Sequence, residues 1–194
     1  MRKGDATRER IVAEAAPLFN QRGFAGCSMA DVMEVTGLEK GGLYRHFSSK
    51  QELAEEVFRY SLALSVKTRT ADLGHIEGAI EKLRYVVRRF VETPSAVAGG
   101  CVLMNTAVDA DDSNPELRAL AKQGIGRWKK RLEKIVADGI AAGEVRADVE
   151  PRRIANAIVG GLEGALMISR LEGGKEALRD MREVLDGVVV GIKA

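Results

Sequence analysis

The sequence predicts an all-α protein. Three observations carry that reading. Apolar residues recur at spacings of three and four over long stretches, only 4 prolines interrupt 194 residues, and helix boundaries are written plainly in the chain. The clearest boundary is Asn114-Pro115-Glu116, a cap followed by proline at the first helical position and an acid in the first turn. At 45% hydrophobic the chain can bury a core, and at 5% aromatic that core must be mostly Leu, Val, Ile, Ala and Met. The length suits one domain or two small ones.

About nine helices follow in order. The first, 5–22, shows Ile11, Ala15, Leu18 and Phe19 at helical spacing, with Val12 and Ala16 widening the stripe. Pro17 should bend or weaken it, Gly23 stops it, and Asp5 or Thr7 is a candidate cap. Arg2, Lys3, Arg8 and Arg10 make its start basic, which is either a solvated terminus or an arm near phosphates.

Next comes Ser28, able to cap a short helix with Asp31 reaching back, and Met29, Val32, Met33 and Val35 form an apolar side. Thr36-Gly37-Leu38 is a turn in which Gly37 takes a positive φ. A brief helix, about 39–47, ends at Ser48-Ser49, with Gln51 and Glu52 placed to complete the next cap. Helix, tight turn and short helix is the layout of a helix-turn-helix reader of the major groove.

The helix at 49–70, with Leu53, Val57, Tyr60 and Leu64 inward, is longer than a small reader needs and should connect it to the rest. Further helices are expected at 76–91, 101–110, 114–142, 151–171 and 175–191, separated by Gly74, Pro94 with Gly99-Gly100, the 111–113 loop, Gly143 and Gly173-Gly174. The last two are more apolar than surface helices of a lone subunit. Ala157, Gly160, Gly161, Gly164 and Ala165 would permit close helix approach. They are either the subunit's own core or the interface of a homodimer, for which Ile158, Leu162, Ala165, Met181, Leu185 and Val188 are the candidates.

Composition excludes several functions. His46 and His75 are the two histidines, and no phosphate-cradling glycine loop or zinc spacing appears, so catalysis, a metal and a cofactor are not expected. Cys27 and Cys101 make no disulfide framework. With no charged leader and no apolar stretch read as long enough to span a bilayer, the expectation is a soluble cytoplasmic protein without a membrane partner. A net charge of +2 means that any nucleic-acid surface must be local.

Residues up to about 55 resemble the TetR family of bacterial transcriptional regulators. The resemblance rests on Gly23-Phe24, Ser28-Met29-Ala30-Asp31-Val32, Thr36-Gly37-Leu38 and Gly42-Leu43-Tyr44-Arg45-His46-Phe47, followed by Lys50, Glu52 and Leu53. Cys27, Met33 and Glu34 depart from the usual pattern, and Glu34 puts an acid where a phosphate-facing cation could stand. Gly100-Cys101-Val102-Leu103 and Glu150-Pro151 echo the broad AcrR-like group. The resemblance implies an all-α homodimer: a helix-turn-helix DNA-binding domain over 1–53, and a ligand-binding and dimerisation domain over 54–194. It also implies double-stranded operator DNA and a small-molecule effector as partners, and most often a repressor.

In such a reader Leu43 and Phe47 face inward, and Gly41 and Gly42 leave the groove wall unobstructed. Lys40 and Arg45 can each reach a guanine edge or a phosphate, and Tyr44 suits a phosphate. His46 can face either way, Lys50 fits a phosphate, and Ser28 and Thr36 can also donate to one, although capping already accounts for Ser28. Polar, aromatic and adaptable residues in the later helices are the candidates for an effector cavity: Tyr85, Met104, Asn105, Trp128, Asn156, Glu163 and Met167, although Trp128 alone is more often core and Glu163 could equally pair with Arg127 or Arg170 or face solvent. Cys101, at a helix start after two glycines, is either a reactive thiolate sensing electrophiles or oxidants, or a buried small hydrophobe. A helical dimer that has lost operator binding is a further alternative.

Overall fold

The computed structural model describes residues 3–194, Lys3 by its backbone alone. Arg2, counted above in the basic start, lies outside the described residues. The helices are α1 (Lys3–Arg22), α2 (Met29–Thr36), α3 (Lys40–Tyr44), α4 (Lys50–Arg69), α5 (Ala79–Glu92), α6 (Val102–Asp109), α7 (Pro115–Ala141), α8 (Pro151–Glu172) and α9 (Glu176–Gly191), with a 3₁₀ turn at Leu73–His75. The fold is all-α, with a helix-turn-helix near the N-terminus and a helical C-terminal bundle.

Several boundaries move for local reasons. Asp5 and Thr7, the candidate caps, lie within α1, whose described part begins at Lys3. Pro17 sits within α1, which continues through it to Arg22. Tyr60, placed inward from its spacing, is exposed, as is Val35.

The residues pack as two compact units. One takes the chain up to Ser65 together with Ser95–Gly124; the other takes Val66–Pro94 and Ile125–Ala194. This division by packing differs from the functional division expected near residue 53, because α6 and its flanking loops join the reader helices.

In the first unit, Ile11, Ala15, Val32, Leu43, Phe47 and Leu53 are fully excluded from water and bind α1, α2, α3 and α4 into one core. At about 1.5–3 kcal/mol per large apolar side chain, this burial holds helices too short to persist alone. In the same unit Gly124 is so tightly enclosed that a Cβ there would come within 2.5 Å of Leu103 and 3.0 Å of Leu62.

In the second unit, α9 packs on α8 and α5 around Leu83, Val87, Leu132, Val136, Ile158, Leu162 and Val189. Glu144 caps α5, accepting from the backbone N–H of Ala79 at 2.5 Å and of Ile80 at 3.0 Å.

By length and composition α8 could cross a membrane, which corrects the expectation that no stretch is apolar enough. Only 39% of its apolar window is buried within the chain. Its two faces differ. One carries the core residues, while Met167, Ile168 and Leu171 on the other are exposed.

Candidate nucleic-acid interface

Local chemistry sets the helix-turn-helix. The Ser28 hydroxyl accepts from the Asp31 N–H at 3.1 Å, and Asp31 Oδ2 accepts from the Ser28 N–H at 2.7 Å, a reciprocal capping box. The Ser28 hydroxyl also donates to Asp31 Oδ2 at 2.5 Å. These bonds from Ser28, then Arg22, hold the Asp31 carboxyl below the usual carboxylate range. Gly37 closes the turn at φ 63°, ψ 21°, a left-handed conformation that an L side chain rarely adopts.

The recognition helix α3 has five residues, two of them glycine. Leu43 and Phe47 are completely buried, which turns Lys40, Tyr44 and Arg45 outward. Tyr44 is 43% exposed. A methyl group on Gly41 would touch nothing within 4 Å in this chain, so this side of α3 is a bare backbone surface flanked by two cations and a phenol. That arrangement can enter a major groove and offer donors to base edges and phosphates.

Two of the expected contacts, Thr36 and Lys50, have side-chain partners within the protein. Thr36 is buried, and its hydroxyl donates to Val32 O at 2.7 Å, back along its own helix. Lys50 donates from Nζ to Phe24 O and Cys27 O, both at 2.9 Å, and sits 4.1 Å from the centre of the Phe24 ring. It therefore ties the start of α4 to the α1–α2 loop. His46 is half-buried, and its carbonyl accepts from Arg8 Nη1.

Spacing did not reveal the parts of α1 that hold this motif. The Arg8 guanidinium donates to the carboxylates of Glu52 and Glu56 and lies 4.0 Å from the centre of the Phe47 ring. Arg10 donates to Thr36 O at 3.2 Å and pairs with Glu14. Arg8 is thus engaged within the fold, while Arg10 remains exposed beside its partners. A signal did exist: Glu52 and Glu56 are four apart on one helix face, where like charges repel unless a cation lies between them. Arg8 first, then the Ser48 N–H and hydroxyl, bring the Glu52 carboxyl down to about 2.

The expected effector residues divide between the two units. In the first, Cys101 is buried at the start of α6 and Met104 is half-buried. Asn105 Nδ2 donates to Asn20 O and Oδ1, each at 3.0 Å, and to Gly99 O at 2.8 Å, so its amide is held by the protein itself. Asn20 in turn donates to the carbonyls of Ala98 and Gly100. In the second unit, Tyr85 is buried with its hydroxyl 3.5 Å from Asp72 Oδ2, Trp128 stacks on Phe90 at 5.7 Å, and Glu163 is buried. Asn156 and Met167 are exposed on the outer face of α8, away from its core side.

Most of the expected dimer residues lie inside the subunit. Ile158, Leu162, Ala165 and Leu185 are buried in the subunit's own core, where no partner can reach them. Met181 packs against that core and Val188 is half-buried. The same 3.6-residue period describes both sides of an apolar helix, and spacing alone does not say which side the subunit covers. The outward side carries Ala157, Gly160, Gly164, Met167, Ile168 and Leu171 on α8, with Val184 and Val188 on α9. Methyl groups at Gly160 or Gly164 would meet nothing within 4 Å, so the subunit's own packing does not require glycine there.

Among the described residues no group of three or more His, Cys, Asp or Glu could hold a metal ion. Comparison with known proteins gives a consistent result. Residues 11–57 match the model described as bacterial regulatory proteins, tetR family, and residues 79–185 match the tetracyclin repressor-like C-terminal domain. A TetR transcriptional regulator from Chloroflexus aurantiacus J-10-FL is 37% identical in sequence, with a TM-score of 0.94 over 100% of this chain and 98% of that one. A TetR-family regulator from Cytophaga hutchinsonii is 34% identical, with a TM-score of 0.93 over 100% and 98%. The transcriptional repressor DhaR of Mycobacterium sp. (strain GP1) is 23% identical over 88% of this chain and 86% of its own length. The chain belongs to the TetR family of bacterial transcriptional regulators, and its helix-turn-helix is that of a DNA-binding regulator and not part of an enzyme.

Proposed function

We propose that the protein is a homodimeric repressor that binds a palindromic operator and is released by a small molecule. The carrying observation is the outward set Lys40, Tyr44 and Arg45 on a glycine-faced helix whose Leu43 and Phe47 are completely buried. Two such helices in successive major grooves read two half-sites related by a two-fold axis. Lys40 and Arg45 contact guanine edges or phosphates, and Tyr44 donates to a phosphate. Repression as the sign of control is supported by the similarity to a relative described as a repressor. Binding an operator makes the cytoplasm the working compartment.

The dimer forms through the outward faces of α8 and α9. Exposed Leu171, Met167 and Val184 supply apolar area, and Gly160 and Gly164 admit a close backbone approach. Glycines inside a helix cost about 1 kcal/mol each relative to alanine, and a partner helix offsets that cost. The effector candidates that remain inward are Cys101 and Met104 within the first unit and, as a separate set within the second, Tyr85, Trp128 and Glu163.

Within the first unit, three side-chain links join the reader to α6 and its neighbours. Asn105 binds Asn20, the Asp109 carboxylate accepts from the Phe24 N–H at 2.7 Å, and Gln51 and Asn114 exchange amide hydrogen bonds. Movement of α6 therefore acts on α1 and on the start of α4, and couples effector to operator.

The test is selection of duplexes from a random library by the purified protein at defined salt. One palindromic motif is expected, and its binding then serves to screen effectors. Sequence-independent, salt-sensitive binding alone would sink the operator reading.

A further inference from the structure

We infer that Arg8 is a positioning residue for operator recognition: from α1 it fixes the angle of α3 through the His46 carbonyl and the carboxylates of Glu52 and Glu56, without touching DNA. The inference rests on the operator-reading function above and assigns a residue outside the expected contact set.

The recognition helix cannot hold its own geometry. It has five residues, and Gly41 and Gly42 lower its helical preference further. Its orientation must be imposed by what surrounds it. Leu43 and Phe47 fix its depth, but two buried side chains leave a rotation about the line joining them. Arg8 removes that freedom. Its Nη1 donates to His46 O, at the C-terminal end of the α3 segment, where a cation is also favoured by the helix dipole. Its Nε and Nη2 reach Glu56, and Nη2 also reaches Glu52 at 2.7 Å. Its Cζ lies over the Phe47 ring, 4.0 Å from the ring centre. Glu52 Oε2 in turn accepts from the Ser48 N–H and hydroxyl, each at 2.8 Å, directly after Phe47. One side chain thus joins α1, α4 and both sides of Phe47.

The geometry needs a guanidinium and not simply a positive charge. Its fork of donors diverges to a carbonyl and two carboxylates while Cζ stays over the Phe47 ring, and an ammonium offers no such fork. The side chain is 30% exposed, with Glu52 and Glu56 as its charged neighbours, so its charge is already compensated before DNA arrives.

The test compares the parent protein with Arg8→Gln, Arg8→Lys and the double variant Glu52→Gln with Glu56→Gln. Affinity is measured for the selected operator and for a scrambled duplex across a salt series. Amide hydrogen exchange of the same proteins is measured without DNA. For Arg8→Gln, specific affinity should fall about tenfold or more, with scrambled-duplex affinity and salt slope unchanged. Arg8→Lys should recover little, and the double carboxylate variant should lose operator preference in the same way.

Without DNA, exchange should speed up selectively at the amides of Arg45, His46 and Phe47, which are bonded to Gly41 O and Leu43 O. A salt slope reduced by about two per dimer, with Arg8→Lys behaving as the parent, would make Arg8 a phosphate contact and overturn the inference. Equal loss for both duplexes together with global loss of protection would reduce Arg8 to a stability residue. Failure of the parent to select any motif would refute the operator reading. The exchange comparison would still decide whether Arg8 holds α3.

Discussion

Replacing Leu171 by alanine should leave the subunit folded and weaken its pairing with a second subunit. Leu171 is 80% exposed on the outer face of α8, so nearly all of its side chain is available to a partner and little of it supports the subunit's own core. Burying a leucine side chain is worth about 1.5–3 kcal/mol, and a two-fold interface contains the residue twice. Alanine keeps the Cβ, which leaves a loss of about 2–4 kcal/mol per dimer, or about 30- to 1000-fold in the dissociation constant. Leu162, on the opposite face of the same helix, is fully buried. Leu162→Ala should instead reduce folding stability by about 2–5 kcal/mol. Sedimentation equilibrium over a dilution series reads the first effect, and thermal unfolding followed by circular dichroism reads the second. The assignment of faces would be refuted if Leu171→Ala dimerised like the parent while Leu162→Ala gave folded monomers.

Three other measurements bear on the reader and on the thiols. Lys40→Ala removes two cations from a dimeric reader, so the slope of log affinity against log salt should become shallower by about two units; an unchanged slope would place Lys40 away from phosphates. Glu52 has its carboxyl held at about 2, below its ordinary 4.5, so its contribution to stability is complete above the ordinary value and drains as pH falls from there toward 2. Denaturant midpoints taken over that acidic range should fall less steeply for Glu52→Gln than for the parent, and equal slopes would contradict the Arg8–Glu52 pairing. Cys27 and Cys101 are buried, and burial pushes the Cys27 thiol up, so a soluble thiol reagent should label neither faster than the protein opens. Rapid labelling of native Cys101 would restore the electrophile-sensing reading.

The sequence made most of the reader legible because its signals are local. Ser28 with Asp31, Gly37 in the turn and the inward pair Leu43 and Phe47 each act within a few residues, and the structure places all of them as their spacing requires. The differences involve polar side chains whose partner within the fold, near or distant in sequence, a spacing pattern does not name. Lys50 and Thr36 have the right chemistry for phosphate, but Lys50 finds the carbonyls of Phe24 and Cys27, and Thr36 turns back to Val32. Asn105 marks a buried polar site correctly, yet its partners are Asn20 and Gly99. A hydropathy pattern cannot distinguish a donor waiting for a ligand from one already bonded across the fold. On α8 the difficulty was symmetry: both faces are apolar, and only the packing of α5 and α9 shows which one the subunit covers.

The clamps on the helix-turn-helix have a consequence for how such a regulator changes its target. Arg8, Arg10 and Lys50 attach to main-chain carbonyls, and any side chain leaves a carbonyl in place. Among the described residues, Lys40, Tyr44 and Arg45 form no side-chain hydrogen bond within the protein. The frame therefore grips the polypeptide, while the letters it displays hang free of it. If the proposed operator reading holds, new residues can be written at these positions without rebuilding the mount, and operator preference would drift by single substitutions while the fold is inherited intact.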